Sequence, residues 1–325
     1  MIAFGPVPSR RLGRSLGINN IPPKVCTYSC VYCQLGRTPK MQAERSEFYP
    51  PEDIVRAVQD KVARSRQAGE AIDYLTFVPD GEPTLDLNLG HEIELLRPLG
   101  LPIAVITNAS LIWREDVREE LMGADWVSLK MDAVDGETWR RVSRPHGQLN
   151  LASILEGALT FAEHYPGKLV TETMLVVGTN DGEEQVEAVA RFLARLQPAT
   201  AYLSIPTRPP AEAWARAPDE QAVNRAYQIL SEAVPDAEYL IGYEGNAFAF
   251  TGDVEEDLLS ITAVHPMRED AVSEFLARAG ASWAVVQRLV AQDRLVKADY
   301  DGYRFYLRRF VKASVDQQLG MQGQG

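Results

Sequence analysis

Residues 72–83, IDYLTFVPDGEP, read as a buried β-strand that runs into a turn at Asp80-Gly81-Glu82-Pro83. Helical spacing follows at 87–98, and then a second β-rich run, 103–107 (IAVIT). The same alternation continues through 126–131 (WVSLKM), 169–177 (LVTETMLVV) and 201–205 (AYLSI). Helical stretches lie at 51–68, 114–122, 151–164 and 183–196; in the last, Val186, Val189, Phe192, Leu193 and Leu196 share one face. Upstream, residues 15–18 supply an earlier strand. Alternating strands and helices imply parallel strands with helical crossovers. Six such units fit a full or partial barrel, or an open doubly wound sheet. Periodicity does not choose between them.

The pattern changes after Pro206. Residues 207–218 (TRPPAEAWARAP) are rich in Pro and Ala and read as a connector. A helix is expected at 219–233, then an apolar stretch at 239–250. Helical runs at 268–279 and 282–292 precede 295–298, the turn Asp299-Tyr300-Asp301-Gly302 and the run 303–309. Asp-Gly between two β-rich runs signals a hairpin. Helix, helix, hairpin outlines a winged-helix-like domain, expected over 251–312 with Trp283 and Val286 in its core. Residues 313–325, rich in Gly and Gln, read as a flexible tail. Residues 256–310 carry eight Lys plus Arg and eight Asp plus Glu, a balance that favours contact with substrate, protein or a lid over DNA reading.

The 325 residues are 24% charged and 46% hydrophobic, which excludes disordered and collagen-like chains. No run of ~20 apolar residues suggests a membrane span. The N-terminal segment, broken by Pro6, Pro8, Arg10, Arg11 and Arg14, does not read as a signal peptide, so a cytoplasmic protein is expected. The net charge of −12 is unevenly spread: the first forty residues contain no acid and carry Arg10, Arg11, Arg14, Lys24, Arg37 and Lys40. This basic head suits an anionic ligand such as RNA or a phosphorylated or carboxylated molecule, balance for an anionic metal centre, or a solvated surface.

All three cysteines fall in Cys26-Thr-Tyr-Ser-Cys30-Val-Tyr-Cys33. An odd, clustered set argues against a disulfide framework. The C-x-x-x-C-x-x-C spacing lets three thiolates converge from one loop. Structural zinc usually takes four ligands, and the four His are scattered away from this loop. Three thiolates around a four-iron cube leave one iron open to a substrate or cofactor.

The loop resembles the cluster motif of the radical S-adenosylmethionine (SAM) superfamily. That resemblance implies a 4Fe-4S cluster on Cys26, Cys30 and Cys33, whose open iron chelates the amino and carboxylate groups of SAM. It implies reductive cleavage to a 5′-deoxyadenosyl radical, a partial (β/α)6 TIM-type barrel over 1–250, and a reductant such as flavodoxin or ferredoxin. Tyr32, before the third Cys, matches the ring that the family sets beside adenine. Asp80-Gly81-Glu82-Pro83 matches its Gly-Gly-Glu-Pro-like motif, with Asp80 in place of the first Gly. There Gly81 permits close backbone approach and Glu82 would hold the methionine ammonium. Thr107-Asn108 matches the Thr-Asn found after the third strand. Ser128, Lys130 and Asp132 share one face by alternation, with Ser128 matching a ribose-binding position. Asn180 matches a nucleoside contact after the fifth strand, while Arg144-Pro145-His146 and Arg208 are weaker substrate candidates.

Residues 9–17 and 25–36 also resemble the branch of wyosine-type tRNA synthetases. Those enzymes use further cysteines for a second cluster; the sequence has none, so that activity does not carry over. One cluster consumes all three Cys, which disfavours sulfur insertion and excludes a methyl-carrying Cys. Hydrogen abstraction from a tRNA base, a peptide or protein, or a small molecule remains. The competing expectation is an iron–sulfur or zinc-containing nucleic-acid-binding regulator with a winged-helix output.

Overall fold

The structure is a computed structural model, and it describes residues 2–242 and 245–309. The chain starts with β1 (Ala3–Ser9), β2 (Gly13–Ile18), the short β3 (Val25–Cys26) and β4 (Lys40–Met41), and α1 (Pro51–Gln67). Then come β5 (Tyr74–Phe77), α2 (Leu89–Leu96), β6 (Ile103–Thr107), α3 (Glu115–Leu121), β7 (Trp126–Lys130), α4 (Gly136–Ser143) and α5 (Leu151–His164). After these lie β8 (Lys168–Met174), α6 (Glu183–Leu196), β9 (Thr200–Ser204), α7 (Glu220–Ala233) and β10 (Ala237–Leu240). The last segment builds α8 (Val254–Val264), β11 (Met267–Arg268), α9 (Glu269–Arg278), α10 (Ala284–Ala291), β12 (Leu295–Tyr300) and β13 (Tyr303–Arg308).

Eight strands make one curled sheet in the order β1-β2-β5-β6-β7-β8-β9-β10. Strands β2 and β5 to β10 run parallel, and β1 returns antiparallel to β2. The edges β1 and β10 do not pair, so the barrel is partial, as the family resemblance implies. Alternation along the strands sorts the side chains. Leu75, Val105, Val127 and Leu129 join the large core under the helices, while Ala104, Trp126, Val170 and Tyr202 pack together with Leu12 on the other, inner face. Helix α1 shows why its sequence is helical: Pro51 begins it, Glu52 and Asp53 sit in the first turn, Arg64 and Arg66 in the last, and Ile54, Val58 and Val62 are buried.

Strand β1 is not foreshadowed in the sequence because Pro6 and Pro8 obscure it; an edge strand tolerates proline, having no ladder to complete on its free side. Helix α4 is also new, capped by Asp135, whose side chain accepts from Glu137 N and Thr138 N. Strand β8 stops at Met174 rather than 177, because Asn180 turns the chain there. The expected C-terminal helices and hairpin correspond to α9, α10, β12 and β13, with α8 and β11 added; β13 lies between β11 and β12. This segment has its own core, including Phe248, Leu258, Phe275, Val286 and Leu289, and Trp283 meets Tyr306 edge-on at 5.6 Å. It is fastened to the barrel where Lys61 Nζ of α1 reaches Asp257 Oδ1 of α8 at 2.7 Å, both buried. The expected tail, 313–325, lies outside the described residues. Among the described residues no helix is long and apolar enough to cross a membrane.

Candidate active site at the cysteine loop

The cysteine loop leaves β2 and passes over the C-terminal ends of the parallel strands, where α/β folds bind their ligands. Main-chain bonds clamp its entry to the turn after β5. Lys24 N donates to Asp80 O at 2.7 Å, and Glu82 N donates to Val25 O at 3.1 Å. The two backbones are so close that a Cβ on Gly81 would stand 1.8 Å from Val25 O, which is why this position takes no side chain. The loop's far side lies along the last turn of α4: Val31 N donates to Val142 O at 2.9 Å, and Ser29 N to Ser143 O at 3.1 Å.

Cys26, Cys30 and Cys33 are half-buried and line one cavity of about 330 Å³ with Tyr32, Asp80, Gly81, Asn108 and Lys130. That volume falls within the range of small-molecule sites. Asn108 Nδ2 donates to Thr27 Oγ1 at 2.8 Å and lies 3.6 Å from Cys26 Sγ. Lys24 Nζ donates to Gly36 O at 2.5 Å and stands 4.0 Å from Cys33 Sγ. Burial, with the Glu82 carboxylate adding to it, pushes the Cys26 thiol up to about 12; burial also raises Cys30. Both are therefore neutral thiols until a positive centre binds and displaces their protons. Among the described residues, no group of three or more His, Cys, Asp or Glu is gathered where it would hold a single metal ion. The donor set, three thiols on one cavity wall with an ammonium and a carboxamide beside two of them, fits a sulfur-rich cluster with an open position.

Glu82 is on the site's inner frame. It is buried, and burial raises its carboxyl even though Thr107, Thr84 and Asn108 all donate to it. Thr107 Oγ1 and Thr84 Oγ1 each donate to Oε1 at 2.6 Å, Thr84 N to Oε1 at 3.1 Å, and Asn108 N to Oε2 at 2.7 Å. Four donors approach the capacity of one carboxylate. Its visible work is to tie the β5 and β6 loops together, while Asp80, Gly81 and Asn108 face the cavity. Thr107 belongs to the same frame.

Strand β7 sends Trp126, Ser128 and Lys130 inward, as alternation requires. Ser128 pairs across from Val170 and is buried below the cavity lining; Lys130 pairs across from Glu172 and reaches the cavity. Lys130 Nζ bonds Glu172 Oε1 at 2.8 Å and sits 4.9 Å over the Tyr32 ring. Tyr32 Oη donates to Asp132 Oδ2. Glu172 also receives Ser204 Oγ at 2.8 Å and Arg11 Nη1 at 2.5 Å. Burial works against both charges of the Lys130–Glu172 pair, yet their attraction prevails: Lys130 is raised and Glu172 is held below the usual carboxylate range. Glu172 was not singled out in the sequence. Its signal is one acid on the inward register of an apolar strand.

Asn180 does not reach the cavity. Its side chain is spent on the backbone, donating to Asp132 O and Met174 O and accepting from Val176 N at 2.8 Å. Arg144 turns away to Glu212. Arg208 lines the cavity wall with Arg10 and Arg11, bonding Gln34 Oε1 at 2.8 Å and His265 Nε2 at 2.9 Å. Burial and Arg208 hold His265 well below the usual imidazole range, so it is neutral.

The family model described as "Radical SAM superfamily" matches residues 20–193, which contain the whole cysteine loop and strands β5 to β8. A relative from Methanocaldococcus jannaschii, "UPF0026 protein MJ1312", is 48% identical over 309 residues, covering 94% of this chain and 96% of that protein. A UPF0026 protein from Helicobacter pylori is 35% identical over 211 residues, 64% of this chain and 67% of that one. Among solved structures, TYW1 with a lysine-pyruvate adduct bound superposes with a TM-score of 0.53 at 18% identity, over 68% of this chain and 74% of that chain. A radical SAM methyltransferase from Sphaerobacter thermophilus gives 0.54 at 18%, over 70% and 66%. Three thiols on one loop at the mouth of a partial barrel thus coincide with the matched family: the chain belongs to the radical SAM superfamily and, within it, to the UPF0026 proteins.

Proposed function

We propose that this enzyme of the radical SAM class binds one 4Fe-4S cluster through Cys26, Cys30 and Cys33, binds SAM in the adjoining cavity, and abstracts hydrogen from an anionic substrate. The observation that carries the reading is the meeting of all three cysteines on one cavity wall with the Asp80-Gly81 turn, Asn108, Tyr32 and Lys130. When bound, the cluster supplies one electron to the sulfonium of SAM and so releases the 5′-deoxyadenosyl radical. The chain's own residues prepare the place. Gly81 brings the turn's backbone against the cysteine loop, and Glu82 with Thr107 locks that turn to β6. On this reading Asn108, Tyr32 and Lys130, which line the cavity, would meet the cofactor's polar and ring groups. Arg10, Arg11 and Arg208 on the same cavity suit a carboxylate or phosphate on the substrate. On this reading residues 1–250 are the catalytic barrel, and a winged-helix-like unit that begins at 251 meets Arg208 of the cavity wall through His265.

The wyosine reaction is not carried over. The sequence lacks the further cysteines of those enzymes, so the reading stops at the shared cleavage of SAM.

Anaerobic reconstitution tests the assignment. The wild type should gain ~4 Fe per chain and broad visible absorption, and a Cys30→Ala chain should not hold the cluster. Zinc uptake by a colourless protein that binds no SAM would favour the nucleic-acid-binding regulator instead.

A further inference from the structure

The outer wall of the cysteine loop is built from segments far apart in sequence. Glu212 N donates to Val31 O at 3.0 Å, and Ala215 packs with Val31 and Val176. The Glu212 carboxylate receives Arg37 Nε and Nη2 at 2.7 and 2.8 Å and Arg144 Nη1 at 2.5 Å. Val177 N donates to Arg216 O at 3.0 Å, and Arg141 Nη2 to Gly178 O at 3.1 Å. The stretch expected to be a connector is therefore a strap laid over the back of the loop.

This wall differs from the rest of the molecule in two ways. Its segments, 34–41, 141–150, 175–180 and 209–217, carry Arg37, Lys40, Arg141, Arg144 and Arg216 against a single acid, Glu212, in a chain of net charge −12. On it Trp214 and Val177 are exposed, 47% and 42%, and Val177 N bonds Arg216 O two residues beyond Trp214. Arg37 and Arg144 are held by Glu212, but an exposed tryptophan on a face that also exposes Arg141 and Arg216 is the composition of a docking surface. Direct backbone bonds join it to the loop that bears the thiols, whereas a substrate must enter the cavity itself.

We propose that this face docks an acidic one-electron donor protein. The inference rests on the radical SAM reading, which requires one electron per cleavage from outside the chain. The donor is oxidised by one electron, which the cluster accepts, and no proton needs to cross the interface. Complementary charge speeds such encounters and makes them sensitive to salt.

The test compares two reductants on the reconstituted holoenzyme: an acidic flavodoxin kept reduced by its reductase, and dithionite. The variant carries Arg141→Glu and Arg216→Glu, both exposed and outside the cavity's thiol wall; Trp214→Ala is a second, uncharged variant. Iron content is measured first and should match the wild type. Formation of 5′-deoxyadenosine driven by flavodoxin should fall about tenfold or more, while the dithionite rate stays within about twofold. Calorimetric titration with oxidised flavodoxin should show binding to the wild type that weakens in both variants and at high salt. Unchanged flavodoxin rates and affinity in both variants would overturn the docking face. Equal losses with both reductants would overturn it too, as would variants that lose affinity only for transfer RNA. If the wild type cleaves nothing with either reductant, the reaction reading fails, and the docking face with it.

Discussion

At the scale of single residues the site is a set of close approaches, and Gly81 is the most demanding. A methyl group there would stand 1.8 Å from Val25 O, and neither backbone is free to yield because Glu82 N and Lys24 N bind across the same gap. Gly81→Ala should cost about 1–3 kcal/mol by overpacking, read as a lower urea midpoint, and should lower iron retention on gel filtration. An unchanged midpoint with full iron would show that the two loops are not pressed together. That the three cysteines, Gly81 and Asn108 come together on one cavity was legible because their spacing is local, whereas Thr107 stands behind it on Glu82. Two other roles were not. Asn180 has the composition of a ligand contact, but its amide completes a turn. Glu82 is a carboxylate in the expected place whose oxygens are engaged by the protein's own donors. Only the folded backbone shows where those donors are.

At the scale of elements, α2 supports the Asp80–Pro83 turn through a buried acidic pair. Asn20 Nδ2 donates to Pro83 O and to Asp86 Oδ2, and Glu92 of α2 sits beside Asp86. Burial and the Asp86 charge push Glu92 up to about 9, and burial lifts Asp86 to about 6. A carboxyl raised on folding contributes stability that is fully present below its unfolded value and lost as pH rises through the folded one. Wild-type stability should therefore decline between about 4.5 and about 9 relative to Glu92→Gln. Urea midpoints at pH 5 and pH 9 should show the variant gaining on the wild type; a constant gap would contradict the shared burial. The strap offers a second prediction. Arg37 and Arg144 hold the Glu212 carboxyl down to about 2, so it is charged at every working pH. Glu212→Ala should speed iron loss to a chelator while leaving the melting profile of the barrel unchanged; equal bleaching rates would show that the strap does not steady the loop. Neither device was visible beforehand. Pro and Ala in 207–218 suggest a linker, and the arginines that give Glu212 its meaning lie about 70 and 175 positions away.

At the scale of the whole molecule, the C-terminal unit is joined to the barrel by a buried ion pair. Lys61 Nζ bonds Asp257 Oδ1 at 2.7 Å and Thr251 Oγ1 at 2.9 Å with little exposure on any of them. Breaking such a pair from one side leaves an uncompensated charge, so Lys61→Met should destabilise by about 3–5 kcal/mol. The double variant Lys61→Met, Asp257→Asn, which removes the unpaired charge and keeps an acceptor for Thr251 N, should recover much of that loss. A double variant no better than the single one would mean that the helices α1 and α8 do not meet there. The alternation of strands and helices made the run of parallel strands readable, while its closure into a partial barrel rather than an open sheet was implied only by the family resemblance. The edge strand β1 and the seating of the C-terminal unit on α1 were hidden, since proline masks the first and the second joins residues nearly 200 apart.

The central claim is that three thiols and the cavity they face serve one reaction. Its most direct measurement is product formation: anaerobic, iron-loaded protein is mixed with SAM and dithionite, and the nucleosides are separated by chromatography. The account predicts 5′-deoxyadenosine and methionine in equal amounts, with none from a Cys30→Ala chain. Protein carrying its full complement of iron that leaves SAM intact would contradict it.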